Sequence, residues 1–364
     1  MRIQDVTQIL EELAPLAHAE DFDNVGLLVG NPENEVSGVL VTLDTLENVV
    51  DEAIEKRLNL IVSFHPIIFK GLKKLTGSNY VERAVIKAIA NNIAIYSIHT
   101  ALDNNPFGVN AKICEVLGIL NPKILIPKKG TLKKLTTYVP EKDAETLRLA
   151  LFNSGAGSIG KYSNCSFSSA GVGSFKAEEG ANPSLGEIGE THFEKEVQIH
   201  VVFSFEKEKA VLKALKENHP YEEVAYEIYT LNNTNSHIGM GMIGTLSEET
   251  EATQFLEIVK AKMNIPCIRH SQLPNQKIKK VAVLGGSGGF AIGAAKKAKA
   301  DIFLTADLKY HQFFEAENQI VLADIGHFES EQFTKDLLVD YLKKKIPNFA
   351  VASSESITNP IKYL

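Results

Sequence analysis

Short runs of consecutive apolar residues alternate with longer amphipathic stretches along the first third of this chain. Leu58-Asn59-Leu60-Ile61-Val62 and Ala94-Ile95-Tyr96-Ser97-Ile98 are two such runs, and a third spans Val36 to Asp44. A continuous apolar run, unlike an alternating one, suits a strand covered on both faces of a sheet. Between the runs, apolar residues recur at helical spacing. Ile3, Val6, Ile9, Leu10 and Leu13 predict a helix over residues 1–16, and similar patterns predict helices over 46–57, 79–91 and 108–118. Phe22 to Gly30 reads as a loop entering a short strand. Strands alternating with helices predict βαβ units and a mainly parallel sheet.

The pattern breaks near Pro122 to Gly130, where Asn-Pro, Ile-Pro and Lys-Lys-Gly punctuate the chain. From Lys133 it reads as strand, helix (142–154), a Gly- and Ser-rich stretch (155–189), strand (196–205), helix (206–218) and strand (223–231). That order suggests an α+β ferredoxin-like βαββαβ module over 127–235, inserted into an α/β domain whose two parts cover 1–126 and 236–364. The last part resumes the alternation: strands at 239–246, 280–284, 301–305 and 319–323, helices at 250–263, 291–299, up to 317 and 331–345, then an irregular tail. Its strand-then-ligand rhythm echoes the first part, a hint of duplication.

Composition narrows the class. The chain has 364 residues, 44% hydrophobic and 23% charged, which fits a globular protein of two or three domains. With 38 Lys and Arg against 45 Asp and Glu, and no sustained basic run, nucleic acid is not the expected partner. No signal peptide or membrane-length apolar run is found. Cys114, Cys165 and Cys267 fit neither a disulfide framework nor a paired-thiol metal site, which points to a reducing, cytoplasmic compartment.

The chemistry gathers at predicted strand ends. His65 follows one buried run, His99 follows the next with Asp103 four residues on, and His327 follows a later strand with Glu331 four residues on. Ligands of α/β sheets bind beyond the carboxyl ends of strands, and a spacing of four places two side chains on one helical face. Imidazole with carboxylate is a donor set for Zn, Mn, Fe or Co, beside which water can be activated. Asp23, Asn24 and Asp44 can line the same cleft. His311, four residues after Asp307, is a candidate acid-base group or a partner to the ligands. Gly286-Ser287-Gly288 partly fits a dinucleotide fingerprint, but the acid expected at the end of the next strand is missing and no Walker lysine follows. The expected role is a turn at a helix start that holds an anionic or phosphate group. His219-Pro220-Tyr221-Glu222 is explained by turn chemistry.

Phe22-Asp-Asn-Val-Gly-Leu-Leu-Val-Gly30, His65-Pro-Ile-Ile-Phe-Lys-Gly71, His99-Thr-Ala-Leu-Asp103, Gly285-Gly-Ser-Gly288, Thr305-Ala-Asp-Leu-Lys-Tyr-His311 and Gly326-His-Phe-Glu-Ser-Glu331 together resemble the dinuclear-metal-centre family related to the yeast NGG-interacting factor. Its members are commonly labelled GTP cyclohydrolase I type 2 homologues. The resemblance implies two similar α/β halves around two divalent ions, an inserted module and a toroidal homohexamer. Carried over by position, His65 and Asp103 hold the first ion, His327 the second, Glu331 bridges both, and His99 lies close by. The family usually shows a His-His doublet where this chain has Phe64-His65, so a second ion should bind more weakly or not at all. The expected function is a metal-dependent hydrolase in which Glu331 orients the ion and its water and His311 shuttles protons, acting on a nucleotide or phosphorylated small molecule. The competing expectation is a non-catalytic metal-binding or metabolite-sensing assembly.

Overall fold

The computed structural model describes residues 1–273 and 277–364. The chain forms two compact units, Met1–Pro127 together with Ser236–Leu364, and Lys128–Asn235. In chain order the first unit opens with α1 (Ile3–Leu13), β1 (Gly26–Val29), β2 (Val39–Thr42), α2 (Glu47–Glu55), β3 (Leu60–Ser63), α3 (Tyr80–Ala90) and β4 (Ala94–Ser97). The short helix α4 (His99–Asp103), α5 (Val109–Leu117) and β5 (Leu120–Pro127) follow. The second unit holds β6 (Leu132–Pro140), α6 (Ala144–Asn153), β7 (Ser166–Lys176), β8 (Thr191–Ser204), α7 (Glu208–Asn218) and β9 (Tyr226–Leu231). The first unit then resumes with β10 (Gly239–Glu251), α8 (Ala252–Lys262), β11 (Arg269–His270), β12 (Lys277–Ser287), α9 (Ile292–Lys297), β13 (Ile302–Ala306) and β14 (Val321–Asp324). It closes with α10 (His327–Glu331), α11 (Thr334–Lys345) and β15 (Val351–Ser353).

Two sheets build the first unit. One runs β1-β4-β3-β2-β15, the other β11-β14-β13-β12-β10-β5. In the first, β4, β3, β2 and β15 are parallel and β1 is antiparallel. In the second, β12, β13 and β14 are parallel while β5, β10 and β11 run antiparallel to their neighbours. The consecutive apolar residues of these strands serve both faces. Val39, Val41, Leu60 and Val62 of one sheet and Val281, Val283, Ile302 and Leu304 of the other belong to one shared core with α1, α5, α8 and α11. Leu40, Ile61 and Ile95 face α2 and α3, and Ala282, Phe303 and Leu322 face α9.

Four stretches depart from the sequence pattern. Residues 120–127, expected as a break, form β5, which lies at a sheet edge; there Pro122 and Pro127 leave no central ladder donor missing. The tail expected to be irregular contains β15, which pairs in parallel with β2. Hence strands cross between the two parts: β5 joins the sheet built mostly from the second, and β15 joins the sheet of the first. Residues 310–316, expected to be α-helical, form a 3-10 turn. In the second unit, β7 emerges from the Gly- and Ser-rich stretch and pairs with β8 over its whole length. That unit's sheet is antiparallel throughout in the order β7-β8-β6-β9. Leu147, Leu151, Val211 and Leu215 of its two helices pack on Leu135, Val139, Ile199 and Val201 of one sheet face.

Candidate metal centre

Three histidines of the first unit stand at strand ends, and each receives a carboxylate from a neighbouring strand. β2 and β3 run in parallel with Thr42 opposite Ser63, so the residues just beyond, Asp44 and His65, emerge side by side. The Asp44 Oδ1 to His65 Nδ1 distance is 2.9 Å. β13 and β14 repeat the arrangement, with Asp307 Oδ2 2.7 Å from His327 Nδ1. Asp307 adopts a φ of 57°, a left-handed conformation unusual for a side-chain-bearing residue, as the chain turns off β13. β1 is antiparallel to β4, so the loop entering β1 lies beside the exit of β4. There Asp23 Oδ1 is 2.8 Å from His99 Nδ1, and its other oxygen accepts from Thr100. An imidazole held by carboxylate at Nδ1 has its orientation fixed and Nε2 left for a metal.

Two of these Nε2 atoms and one carboxylate oxygen converge. Glu331 Oε2 lies 3.1 Å from His65 Nε2 and 3.3 Å from His327 Nε2, and the two Nε2 atoms are 3.4 Å apart. His65, His327 and Glu331 are the one group among the described residues whose metal-type donor atoms lie mutually within 4.8 Å. Glu331 is only 3% exposed, and neither its Oε2 nor the buried Asp103 Oδ1 makes an aligned hydrogen bond. A buried carboxylate oxygen close to two imidazole nitrogens aimed at the same point fits a divalent ion.

The electrostatics describe the same cluster without a cation. Burial would lower the His65 pKa, but the bond to Asp44 and the close carboxylate of Glu331 outweigh it and hold it up at about 10. Burial likewise opposes, and Glu331 and then Asp307 support, a His327 pKa of about 9. Burial would raise Glu331, yet the two histidines hold it down at about 2. For Asp103, burial and then the Glu331 charge push the pKa well above the usual carboxylate range. A divalent ion held at this point would compete with these protons for the same donor atoms.

Glycine at the end of β12 makes room for this carboxylate. Gly286 has a φ of 67°, and a Cβ on it would collide with Glu331 Oε1. Gly286 and Ser287, expected with Gly288 to hold an anionic group, line the cavity beside Glu331, and several amides of this loop bond within the protein. The Gly285 amide donates to Asn110 Oδ1 and the Gly286 amide to Ser330 Oγ, both at 2.9 Å, and the Gly288 amide faces Ala306 O. These bonds hold the loop in place beside Glu331, and the α9 that follows is only six residues long.

His99 and Asp103 line the same cavity of about 240 Å3 as His327 and Glu331, but they stand outside the three-residue group. His99 packs edge-on to His65 at 5.2 Å between ring centroids. Phe64 is fully buried in the shared core with its ring 4.9 Å from His65 and 5.4 Å from His99. His311 is not brought to the cavity. It is exposed on the 3-10 turn and packs against Tyr310 and Phe314, while Asp307, on the preceding loop, is the residue that reaches the site. The structural roles of Asn110, Ser330 and the buried Glu329 have no signal in the chain, since no spacing rule distinguishes them from ordinary helix residues.

A family profile described as Duf34/NIF3 (NGG1p interacting factor 3) matches residues 1–360. The "GTP cyclohydrolase 1 type 2 homolog" of Bacillus subtilis (strain 168) is 40% identical over 99% of this chain and 98% of its own length. The protein of the same name from Staphylococcus epidermidis is 34% identical over the full length of both. A crystal structure of a Bacillus cereus protein related to NIF3 superposes with a TM-score of 0.86 at 36% identity, covering 100% of this chain and 99% of that one. A Staphylococcus aureus protein structure follows at 0.80 and 32%, with the same coverage. On a full-length sequence match and a shared mixed α/β fold, this chain belongs to the Duf34/NIF3 family.

Proposed function

We propose that the first unit is a divalent-metal centre of a hydrolase, with His65, His327 and Glu331 as ligands. The convergence of two Nε2 atoms and one buried carboxylate, each histidine backed by an aspartate, carries this reading. Asp103 supplies a further oxygen and His99 completes the wall. A Zn, Mn or Fe ion there contributes Lewis acidity and lowers the pKa of water. The chain's own residues do the rest. Asp44 and Asp307 fix the tautomers of His65 and His327, and Asp23 holds the Nδ1 of His99 so that its Nε2 is the atom that can take or return a proton. Phe22 and Phe290, 65% and 64% exposed, line the same cavity and offer flat faces to a ring-bearing substrate such as a nucleotide. At about 240 Å3 the cavity suits the reacting end of a phosphorylated small molecule or nucleotide. One ion, with a second weakened by Phe64, is the expected occupancy.

Elemental analysis of protein purified without added metal tests the centre. Near-stoichiometric metal that is lost in His65→Ala supports it. Less than about one tenth of an equivalent, with His65→Ala binding as well as the parent, overturns it. Turnover of nucleotides or phosphoesters by metal-loaded protein, abolished in Glu331→Ala, supports the hydrolase.

One observation favours a sensing role. The second unit has its own cavity of about 610 Å3, lined by Tyr138, Phe175 and Tyr221 and by Glu178, Glu196 and Glu223. Its strand order, with two helices on one face, supports the ferredoxin-like reading of this insertion. The acidic lining disfavours polyphosphates and suits a neutral or cationic metabolite. Metabolite binding without turnover by the metal-loaded protein would favour this reading over the hydrolase. A cytoplasmic homohexamer completes the proposal, tested by sedimentation velocity. No helix among the described residues is long and apolar enough to cross a membrane.

A further inference from the structure

The last fourteen residues run along the first unit in four attached steps. β15 pairs with β2 from Val351 to Ser353. The next turn closes on Glu52 of α2, whose carboxylate accepts from Ser354 Oγ at 2.6 Å, from the Glu355 and Ser356 amides at 2.9 and 3.1 Å, and from Ser356 Oγ at 2.7 Å. Burial would raise the Glu52 pKa, but Lys56 and these tail donors hold it at about 2. Beyond this anchor, Thr358 Oγ1 donates to Asp44 Oδ2 at 2.8 Å. Asn359 Nδ2 then donates to Glu329 Oε1 at 3.0 Å.

Both contacts lead into the metal centre. Asp44 uses its other oxygen for His65 Nδ1, so Thr358 fixes one end of the carboxylate whose opposite end fixes the imidazole. Glu329 is buried beneath Gly326, where a Cβ would collide with Glu329 Oε2 and sit 3.3 Å from Tyr363 Oη, and the next residue is His327. Gly326 has a φ of 85°, so the turn that presents His327 is closed over a side chain that Asn359 holds. A free aspartate samples several rotamers, whereas one bonded at both oxygens is restricted to a single orientation.

We infer that the C-terminal segment, through Thr358 and Asn359, is a positioning strap that sets the orientation of His65 and His327. Its effect on metal affinity rests on the metal reading above; its effect on the two imidazoles does not. Loss of a hydrogen-bond partner of a metal-bound histidine weakens binding by about 10 to 100-fold. One bond further out, Thr358→Val should cost about tenfold, the lower end of that range. Thr358→Ser, which keeps the hydroxyl, should restore affinity.

Metal titration of the full-length protein tests this, with Zn or Mn as the probe and chelator competition as the readout. The expected results are a weaker Thr358→Val, a recovered Thr358→Ser, and no further loss when Thr358→Val is added to Asp44→Asn, since both act on one bond. Parent-like affinity in Thr358→Val, or full additivity with Asp44→Asn, overturns the strap while leaving the metal centre intact. If the parent protein takes up no metal, the metal reading fails and the strap is read in the metal-free protein. The His65 side-chain 15N resonances should then shift, and its Nδ1 proton exchange faster, in Thr358→Val; unchanged resonances overturn it. Asn359→Ala, read at His327 in the same spectra, tests the second contact independently.

Discussion

The cavity of the first unit has two sides that start from similar parts and end differently. On one side His65 and His327, each held by an aspartate, close on Glu331 with donor atoms 3.1 to 3.4 Å apart. On the other, His99 is held by Asp23 in the same way and Asp103 stands four residues on, yet they do not join that group. Between the two sides stands Phe64, which the exit of β3 carries into the shared apolar core, packed against both His65 and His99, where its ring offers no donor atom. A carboxylate-backed histidine is thus not enough for a site; the donors must also converge, and convergence here comes from strands of both sheets.

The largest effect should come from removing the point of convergence. Glu331→Ala takes away one of three close donors and the one carboxylate that the two imidazoles share, so metal affinity should fall by more than about 100-fold, beyond the range for lost outer partners. Isothermal titration measures it, and a fall of less than tenfold would show that the two sides are not as different as drawn. Gly286→Ala comes next. The added methyl meets Glu331 Oε1, and the φ of 67° is strained for alanine, so the carboxylate must turn away and affinity should drop by about 10 to 100-fold. Parent-like binding in this variant would mean that Glu331 moves freely.

The aspartates sharpen the contrast further. Asp44→Asn should weaken the first ion by about 10 to 100-fold, because the amide no longer favours the right tautomer of His65. Asp23→Asn, acting on His99, should change it by less than about threefold, a much smaller effect than for a partner of a bound ligand. Equal losses in the two variants, by chelator competition, would place His99 inside the first site.

Much of this was legible in the chain. The histidines at 65, 99 and 327 were marked by apolar runs that end where ligands belong, and the four-residue spacing of His327 and Glu331 does place both on one short helix. Other parts depended on contacts that no local pattern encodes. Asp44 and Asp307 became partners only through parallel pairing, which sets side by side residues about 20 positions apart. Gly286-Ser287-Gly288 fitted a dinucleotide fingerprint only in part, and nothing local showed that Asn110 and Ser330, distant in sequence, accept from the Gly285 and Gly286 amides. His311 had the right spacing from Asp307 for a helical pair, and a 3-10 turn instead carries it to the surface. The tail had no pattern at all, because one three-residue strand and a few side-chain hydrogen bonds define it.

Phe64 gives the mildest change to the first ion and the clearest decision about the second side. Phe64→His places an imidazole at the exit of β3, within reach of the neighbourhood of His99 and Asp103. Two donors already stand there, one of them a carboxyl whose pKa burial pushes up, so a third should raise metal uptake from about one ion per chain toward two. The substitution also puts a polar ring into the core where Phe64 is fully buried, so the metal-free variant should lose stability, by up to about 3 kcal/mol. Metal should return part of that loss, since a ligand that binds the folded state alone raises the melting temperature. Elemental analysis and melting curves with and without Zn read both effects. If uptake stays at one ion while the variant folds, the second side lacks more than an imidazole, and Asp103 belongs to the first ion.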